Sequence, residues 1–136
     1  MKKLRPPLNI SPVDSPDAAG VESQHGEQLA EITNGIVRLF SEFYGRGPTR
    51  AKSFLLDETY LVTVLRDTMT TVERTLVEGG HAHQVRNVRL TFQEAMADSF
   101  KGVVEDALGR RVSAYHSQLL TEADIGFELF VLDPAA

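Results

Sequence analysis

The stretch from Thr33 to Leu65, TNGIVRLFSEFYGRGPTRAKSFLLDETYLVTVL, places the strongest constraint on the fold of this chain. It reads as the end of an amphipathic helix, a Gly-Arg-Gly-Pro break, a strand, an Asp-Glu turn and a second strand. The same order of helix, Gly-Arg and two strands returns between Ala95 and Leu132. Two αββ units predict a small α+β domain, because neither unit can bury its apolar surfaces alone.

The first helix is predicted from about Ser23 to Tyr44. Its apolar residues recur at steps of three and four and form one stripe: Leu29, Ile32, Ile36, Leu39, Phe40 and Phe43. Gly45 is expected to end the helix, since glycine enters the left-handed cap conformation without steric cost. Pro48 then prevents the helix from resuming.

Two hairpins follow from the β-rich segments. The first pairs residues 51–56 with residues 59–65 around a tight Asp57-Glu58 turn. The second pairs residues 112–118 with residues 125–132 around a looser turn. Antiparallel pairing is expected within each hairpin, because the connections are too short for a crossover.

Between the hairpins, two further helices are predicted. Thr70 and Glu73 have the spacing of a capping box and begin a short helix that reaches about Glu78. A longer, continuous helix is expected over residues 83–108 and ends at Gly109. Its apolar stripe comprises Val85, Val88, Phe92, Met96, Phe100, Val103 and Ala107.

Laying Gly45-Arg46 on Gly109-Arg110 also superposes apolar positions of the two long helices, such as Ile36 on Phe100. The predicted fold is therefore α+β, with a four-stranded antiparallel sheet and two long helices on one of its faces. Residues 23–136 are predicted to form this single domain. Residues 1–22 contain four prolines and few apolar side chains, which predicts a disordered tail.

The strand over residues 59–65 is apolar on both faces. Tyr60, Val62 and Val64 share one face, and Leu61 and Leu65 lie on the other. We assign the second pair to a face that the helices leave open. A second copy of the chain is expected to cover that face and form a homodimer, with the short middle helix as the alternative cover.

Composition excludes several classes of function. The net charge of −5 argues against nucleic acid as a partner, because phosphate binding needs concentrated Lys and Arg. The absence of cysteine excludes disulfides and thiolate chemistry and is compatible with a cytoplasmic location. No apolar run reaches the roughly 20 residues of a membrane helix, so direct membrane insertion is not expected.

Few residues carry recognisable chemistry. Arg46 and Arg50 beside a glycine-rich loop, with His116 on a predicted strand, are candidates for contact with a small anion or a protein partner. The loop follows a helix C-terminus, whereas phosphate sites are built at N-termini, so a structural role for Arg46 is favoured. His81 and His83 would need a third ligand to hold a metal. No catalytic, cofactor-binding or metal-binding residue is therefore assigned, and no cofactor is expected.

The chain resembles a small bacterial family named after the MpsC component of a sodium-translocating, membrane-potential-generating system. The likeness covers residues 27–133 and is carried by the helix that leads into Gly-Arg-Gly-Pro, the strand with its acidic turn and the Met69-Thr70-Thr71 helix start. It continues through the long helix that ends in Gly-Arg and through the strand that holds His116. Tyr44 directly precedes Gly45, which departs by one residue from the family spacing.

The resemblance implies a non-enzymatic accessory or regulatory protein. Family members are associated with membrane systems linked to a sodium-dependent potential or to inorganic-carbon supply, in which membrane-embedded partners carry the transport. The expected function is therefore protein contact with such a system, peripheral to the membrane. A small-anion-binding sensory module is the alternative, and a hydrolase of unrecognised type ranks third.

Overall fold

The computed structural model describes residues 25–134, so the predicted tail over residues 1–22 lies outside the described part. The elements in chain order are α1 (Gly26–Tyr44), β1 (Arg50–Leu56), β2 (Tyr60–Arg66), α2 (Thr71–Glu78), α3 (Ala82–Ala95), α4 (Ala97–Leu108), β3 (Val112–Leu120) and β4 (Ile125–Leu132). This order confirms the α+β prediction.

The four strands form one antiparallel sheet in the order β1-β2-β4-β3. Each hairpin contributes two neighbouring strands, and β2 joins β4 at the centre, with Thr63 opposite Glu128. The unit α1-β1-β2 thus adjoins the unit α4-β3-β4 along this central pair. The arrangement agrees with the two αββ units predicted from the sequence.

Glycines in the left-handed conformation end the two matching helices, as predicted. Gly45 has a φ of 79° and donates its backbone N–H to the Ser41 carbonyl. Gly109 has a φ of 64° and donates to the Glu105 carbonyl. The equivalent positions of the two units therefore have the same local geometry, because both chains must turn sharply from helix into strand.

The core lies between the helices and one face of the sheet. Leu61, Leu65 and Phe130 are fully buried there against the fully buried Ile36 and Phe100. Tyr60 lies on the opposite face and is 44% exposed. The predicted assignment of the two faces is therefore wrong. Polar side chains interrupt the apolar alternation of the helix-covered face, so the sequence pattern did not identify that face as the buried one.

We call the opposite side of the sheet the open face. By register it carries Arg50, Lys52, Phe54 and Leu56 of β1, Tyr60, Val62, Val64 and Arg66 of β2, Phe127, Leu129 and Val131 of β4, and His116 and Gln118 of β3. The middle helix does not provide the alternative cover, since Leu76 and Val77 of α2 pack with Val85 of α3. Among residues 25–134, none of the apolar side chains of the open face belongs to the core clusters that the helices form with the sheet.

The predicted continuous helix over residues 83–108 is in fact two helices. Met96 leaves the helical conformation, with φ −103° and ψ 11°, and separates α3 from α4. The break lets α4 pack against α1 and β3 while α3 packs against α2 and β3. Val88, expected on the apolar stripe, is 65% exposed, and Arg89 and Gln93 are buried instead.

Candidate functional site

A row of polar side chains crosses the sheet beneath the helices. Ser53, Thr63, Glu128 and Ser117 are neighbours in register on successive strands. The hydroxyl oxygens of Ser53 and Thr63 lie 2.8 Å apart, and Ser53 Oγ lies 2.7 Å from Thr33 Oγ1 of α1. Such a row within an apolar core must satisfy its hydrogen bonds internally.

Glu128 is the acidic member of this row and is 1% exposed. Its Oε1 accepts a hydrogen bond from the hydroxyl of Tyr115, and its Oε2 accepts one from Ser117 Oγ at 2.7 Å. Burial raises the pKa of Glu128 to about 7, although these two hydrogen bonds and the charge of Arg89 act in the opposite direction. The carboxyl group therefore changes its protonation state near neutral pH.

Tyr115 is held in place by aromatic stacking. Its ring centroid lies 4.9 Å from that of Phe130 and 6.0 Å from that of Phe100. Its hydroxyl oxygen lies 2.6 Å from Oε1 of Gln93 on α3. Burial, followed by the nearby Glu128 carboxylate, raises the pKa of Tyr115, so this hydroxyl keeps its proton at physiological pH.

A second cluster centres on Arg89 of α3. Its Nε and Nη2 donate to the two oxygens of Glu73, each at 2.7 Å, and Nη2 also donates to the Thr68 carbonyl at 2.9 Å. Burial opposes ionisation of Glu73, but the hydrogen bonds from Arg89 and Thr70 outweigh it and lower the pKa of Glu73. The guanidinium carbon lies 4.2 Å from the ring centroid of Tyr44. This bidentate ion pair fixes α2 against α3.

Asp124 ties the β3–β4 turn to the segment between β2 and α2. Its Oδ1 accepts the backbone N–H of Thr68 at 2.9 Å and that of Met69 at 3.2 Å. Its Oδ2 lies 3.6 Å from Nη2 of Arg74. Glu73 and Asp124 thus hold separate segments together.

A pocket of about 200 Å³ lies beside these clusters, between α3 and the β3–β4 hairpin. Its lining includes four buried polar residues and several exposed ones: Thr68, Arg89, Gln93 and Glu128 are buried, and Arg86, Asn87 and Gln118 are exposed. The apolar part of the pocket wall is formed by Phe40, Leu90 and Leu119. The pocket therefore leads from a polar, exposed mouth to a buried carboxyl group.

The open face of the sheet is a second candidate surface. Its centre is apolar, and its Leu56 and Tyr60 are 51% and 44% exposed. At one end of β1 and β2, Arg50 lies opposite Arg66 in the register. At the other end, the exposed Asp57 lies in the turn that joins the two strands. The β1–β2 half of this face is therefore basic at one end and acidic at the other.

The three residues singled out from the sequence do not converge. Arg46 donates from Nη1 to the Met69 carbonyl at 2.6 Å, which is a structural contact. Arg50 lies on β1 and His116 on β3, the two opposite edge strands of the sheet, and His116 also lines the pocket beside α3. Both belong to the open face, so contact with a protein partner there stays a prediction, as does anion binding at either residue.

Sequence reasoning missed Arg89, Gln93 and Glu128. A usable signal was present for the first two, because Val85, Arg89 and Gln93 recur at steps of four on one side of α3. For Glu128 the signal was its central place in β4, because the residues two positions before and after it are buried on the same face of the strand. Among residues 25–134 no group of three or more His, Asp or Glu is placed to hold a metal.

The comparisons with known proteins give one match. A family model described as "Na+-translocating membrane potential-generating system (MpsC)" matches residues 24–134. No curated protein and no solved structure gives a match. None of the helices in the described part of the chain is long and apolar enough to cross a membrane.

Proposed function

The chain belongs to the MpsC family, and from this membership we propose a non-enzymatic accessory role in a Na⁺-translocating, membrane-potential-generating system. The protein acts through contacts with other proteins, at the cytoplasmic side of a membrane that holds the transporting subunits. It assists or regulates a system that maintains membrane potential or supplies inorganic carbon. The observation that carries this proposal is the open face of the sheet.

The open face has the character of a protein interface. Val62, Leu129 and Phe127 form its apolar centre, and they are side by side on the two central strands. Contiguous apolar patches are uncommon on the surface of monomeric proteins, since burying them against a partner is favourable. A polar rim of Arg50, Lys52 and Arg66 surrounds this centre at one end, as in many specific interfaces.

The occupant of the open face is a second copy of the chain. A two-fold axis that runs across the strands reverses the strand direction of the partner. It therefore sets Arg50 and Arg66 of one copy against the Asp57-Glu58 turn of the other. Asp57 has no ion pair within the described residues, so its charge is available for this contact. The face is thus complementary to itself in both apolar character and charge.

The dimer leaves its two helical layers exposed for the membrane-embedded subunits. Val72 on α2 and Val88 on α3 are 68% and 65% exposed, and Leu90 is 42% exposed. Two of the ionisable groups beneath these helices, Glu73 and Asp124, are engaged in contacts between segments, which supports a structural role for both. The proposed accessory activity is contact through these surfaces.

Light scattering tests the dimer directly. The wild type should give twice the chain mass of 15.0 kDa at micromolar concentration. Val62→Glu places a charge at the centre of the open face and should shift the mass to that of one chain. Val88→Glu, on the exposed side of α3, is the matched control and should remain dimeric. A wild-type mass of one chain would refute the dimer.

Co-purification from detergent-solubilised native membranes tests the accessory role. Tagged wild-type protein should retain a membrane-embedded transport subunit, and Val88→Glu should retain less of it while staying dimeric. Asp106→Asn, an exposed change on α4, should retain as much as the wild type. Recovery of the tagged protein with soluble proteins alone would contradict the role.

A further inference from the structure

We propose that the pocket between α3 and the β3–β4 hairpin binds a small zwitterion of the amino-acid type. Its ammonium group lies against Glu128 at the buried end, and its carboxylate lies at Arg86 at the mouth. The proposal does not depend on the dimer or on the membrane partner, because Glu128 and Arg86, the two groups that would hold the ligand, belong to the helix-covered face of the sheet and to α3.

The charged cluster beside the pocket contains three carboxylates and two guanidinium groups. Glu73, Asp124 and Glu128 all interact with the charge of Arg89, and Arg74, whose side chain is 46% exposed, lies beside Asp124 alone. Arg89 is bound by both oxygens of Glu73, and Arg74 lies 3.6 Å from Asp124. Glu128 is left without a cation of its own. A buried carboxylate in this position requires either a proton or a bound cation.

Glu128 also has unused hydrogen-bonding capacity. An ionised carboxylate offers about four acceptor sites, and Tyr115 and Ser117 occupy one on each oxygen. A ligand ammonium group can therefore replace the proton of Glu128 without displacing either neighbour. Ser117 Oγ and the side chain of Gln93 lie in the same pocket wall and offer further polar contacts.

The mouth of the pocket has the opposite charge. Arg86 is exposed, donates to Thr121 Oγ1 at 3.3 Å and forms no ion pair with a carboxylate among residues 25–134. Arg86 and Gln93 are two turns apart on α3, about 10 Å along the helix axis. A carboxylate at this mouth would be a charge-assisted acceptor for the free guanidinium.

Volume and charge together distinguish a zwitterion from simpler ligands. The pocket volume of about 200 Å³ far exceeds that of a bare ion, since one water occupies about 30 Å³ in the liquid. Arg86 repels a simple cation at the mouth. At the buried end the charge of Arg89 is balanced by Glu73, so the ionised carboxylate of Glu128 repels a simple anion. A molecule with both charges and a short apolar body against Leu90 and Leu119 satisfies all three features.

A series of ω-amino acids tests the proposal by calorimetry and amide NMR shifts on the full chain. The probes are glycine, β-alanine, γ-aminobutyrate, 5-aminovalerate and 6-aminohexanoate, with butylamine and butyrate as single-charge controls. We expect an optimum length within the series, at least tenfold weaker binding of both controls, and shifts centred on Ser117 and Gly126. Equal binding of a control, or no saturable binding by any member, would overturn the proposal.

The pH dependence separates the proposed pose from an anion site. Charged or titratable groups face Glu128 from α1 (Tyr44), α3 (Arg89) and β3 (Tyr115), and Glu73 of α2 lies behind Arg89. His116 of β3 lines the same pocket. The pKa of Glu128 is about 7, and a His116→Gln control should keep the pH dependence that Glu128 sets. The ammonium must displace its proton, so affinity should rise about tenfold from pH 6 to pH 8. A fall in affinity over this range would refute the pose.

Variants complete the test. Glu128→Gln and Arg86→Gln should each weaken the best probe at least tenfold, while Arg66→Gln on the open face should leave its affinity unchanged. Near-UV circular dichroism establishes that each variant is folded. If Glu128→Gln does not fold, the pH dependence of binding to the wild type tests the role of Glu128 instead.

The identity of the bound cation is tested by ion exchange in the buffer. Replacing choline chloride by NaCl at constant ionic strength should not weaken binding of the probe. Competition by Na⁺ would overturn the zwitterion in favour of a monovalent metal ion.

Discussion

Glu128 accepts a hydrogen bond from the hydroxyl of Tyr115, and the same hydroxyl oxygen lies 2.6 Å from Oε1 of Gln93. A hydroxyl has one hydrogen and cannot donate to two acceptors at once. All three groups are satisfied when Glu128 is protonated and donates to Tyr115, or when the amide of Gln93 turns to donate. The first arrangement agrees with the raised pKa of Glu128.

Stability should therefore fall as the pH rises through neutrality. The pKa of Glu128 is raised in the folded chain from its ordinary 4.5 to about 7. Its contribution to the free energy of unfolding is fully present below pH 4.5 and is lost as the pH rises from 4.5 to 7. The total loss is about 3 kcal/mol. Urea unfolding from pH 5 to pH 8 measures this change. Glu128→Gln should flatten the profile, and parallel profiles for variant and wild type would contradict the assignment.

Breaking the buried ion pair should be costly. Arg89→Met leaves Glu73 buried without its partner, and we expect a loss of about 3–5 kcal/mol in the free energy of unfolding. Arg111→Met is the control, because Arg111 is 81% exposed and its Nε lies 3.9 Å from Asp133; its effect should stay below about 1 kcal/mol. Adding Glu73→Leu to Arg89→Met should recover part of the loss. Equal effects of the two arginine changes would be inconsistent with the buried pair.

The contact of α1 with α4 depends on a glycine. A Cβ at Gly35 would lie 2.7 Å from Cγ1 of Val103, so Gly35→Ala should cost about 1–3 kcal/mol by overpacking. Val103→Ala in the same chain should relieve part of that cost. Gly102→Ala is the control, since its Cβ would meet no atom within 4 Å, and it should stabilise α4 by up to about 1 kcal/mol. Thermal unfolding of the three variants decides between overpacking and helix propensity.

Charge exchange tests the geometry of the proposed dimer. Arg50→Glu and Asp57→Arg should each raise the dimer dissociation constant about tenfold, which corresponds to about 1.4 kcal/mol. The double variant should return close to the wild type, because the two charges then face each other with signs reversed. Additive weakening in analytical ultracentrifugation would rule out the axis across the strands. Leu65→Glu is unsuitable for this test, since Leu65 is fully buried in the core.

Local features of the chain were predictable from its sequence. The glycine caps at Gly45 and Gly109, the capping box of Thr70 and Glu73, and β4 with its bounds all agree with the structure. Each depends on residues close together in the chain, so its geometry is set by backbone sterics and short-range hydrogen bonds. Antiparallel pairing within each hairpin follows from the same local signals, since short turns allow only antiparallel pairing.

Tertiary structure alone decided the features that matter for function. Both faces of β2 are apolar, and only the packing of α1 and α4 on Leu61 and Leu65 selects the buried one. The break at Met96 has no glycine or proline to mark it in the sequence. From the sequence alone, Arg89 and Glu128 are expected to be surface charges, because the groups that bind them lie on other elements. Burial and electrostatic pairing depend on distances between remote segments, and these distances exist only once the helices and the sheet have packed.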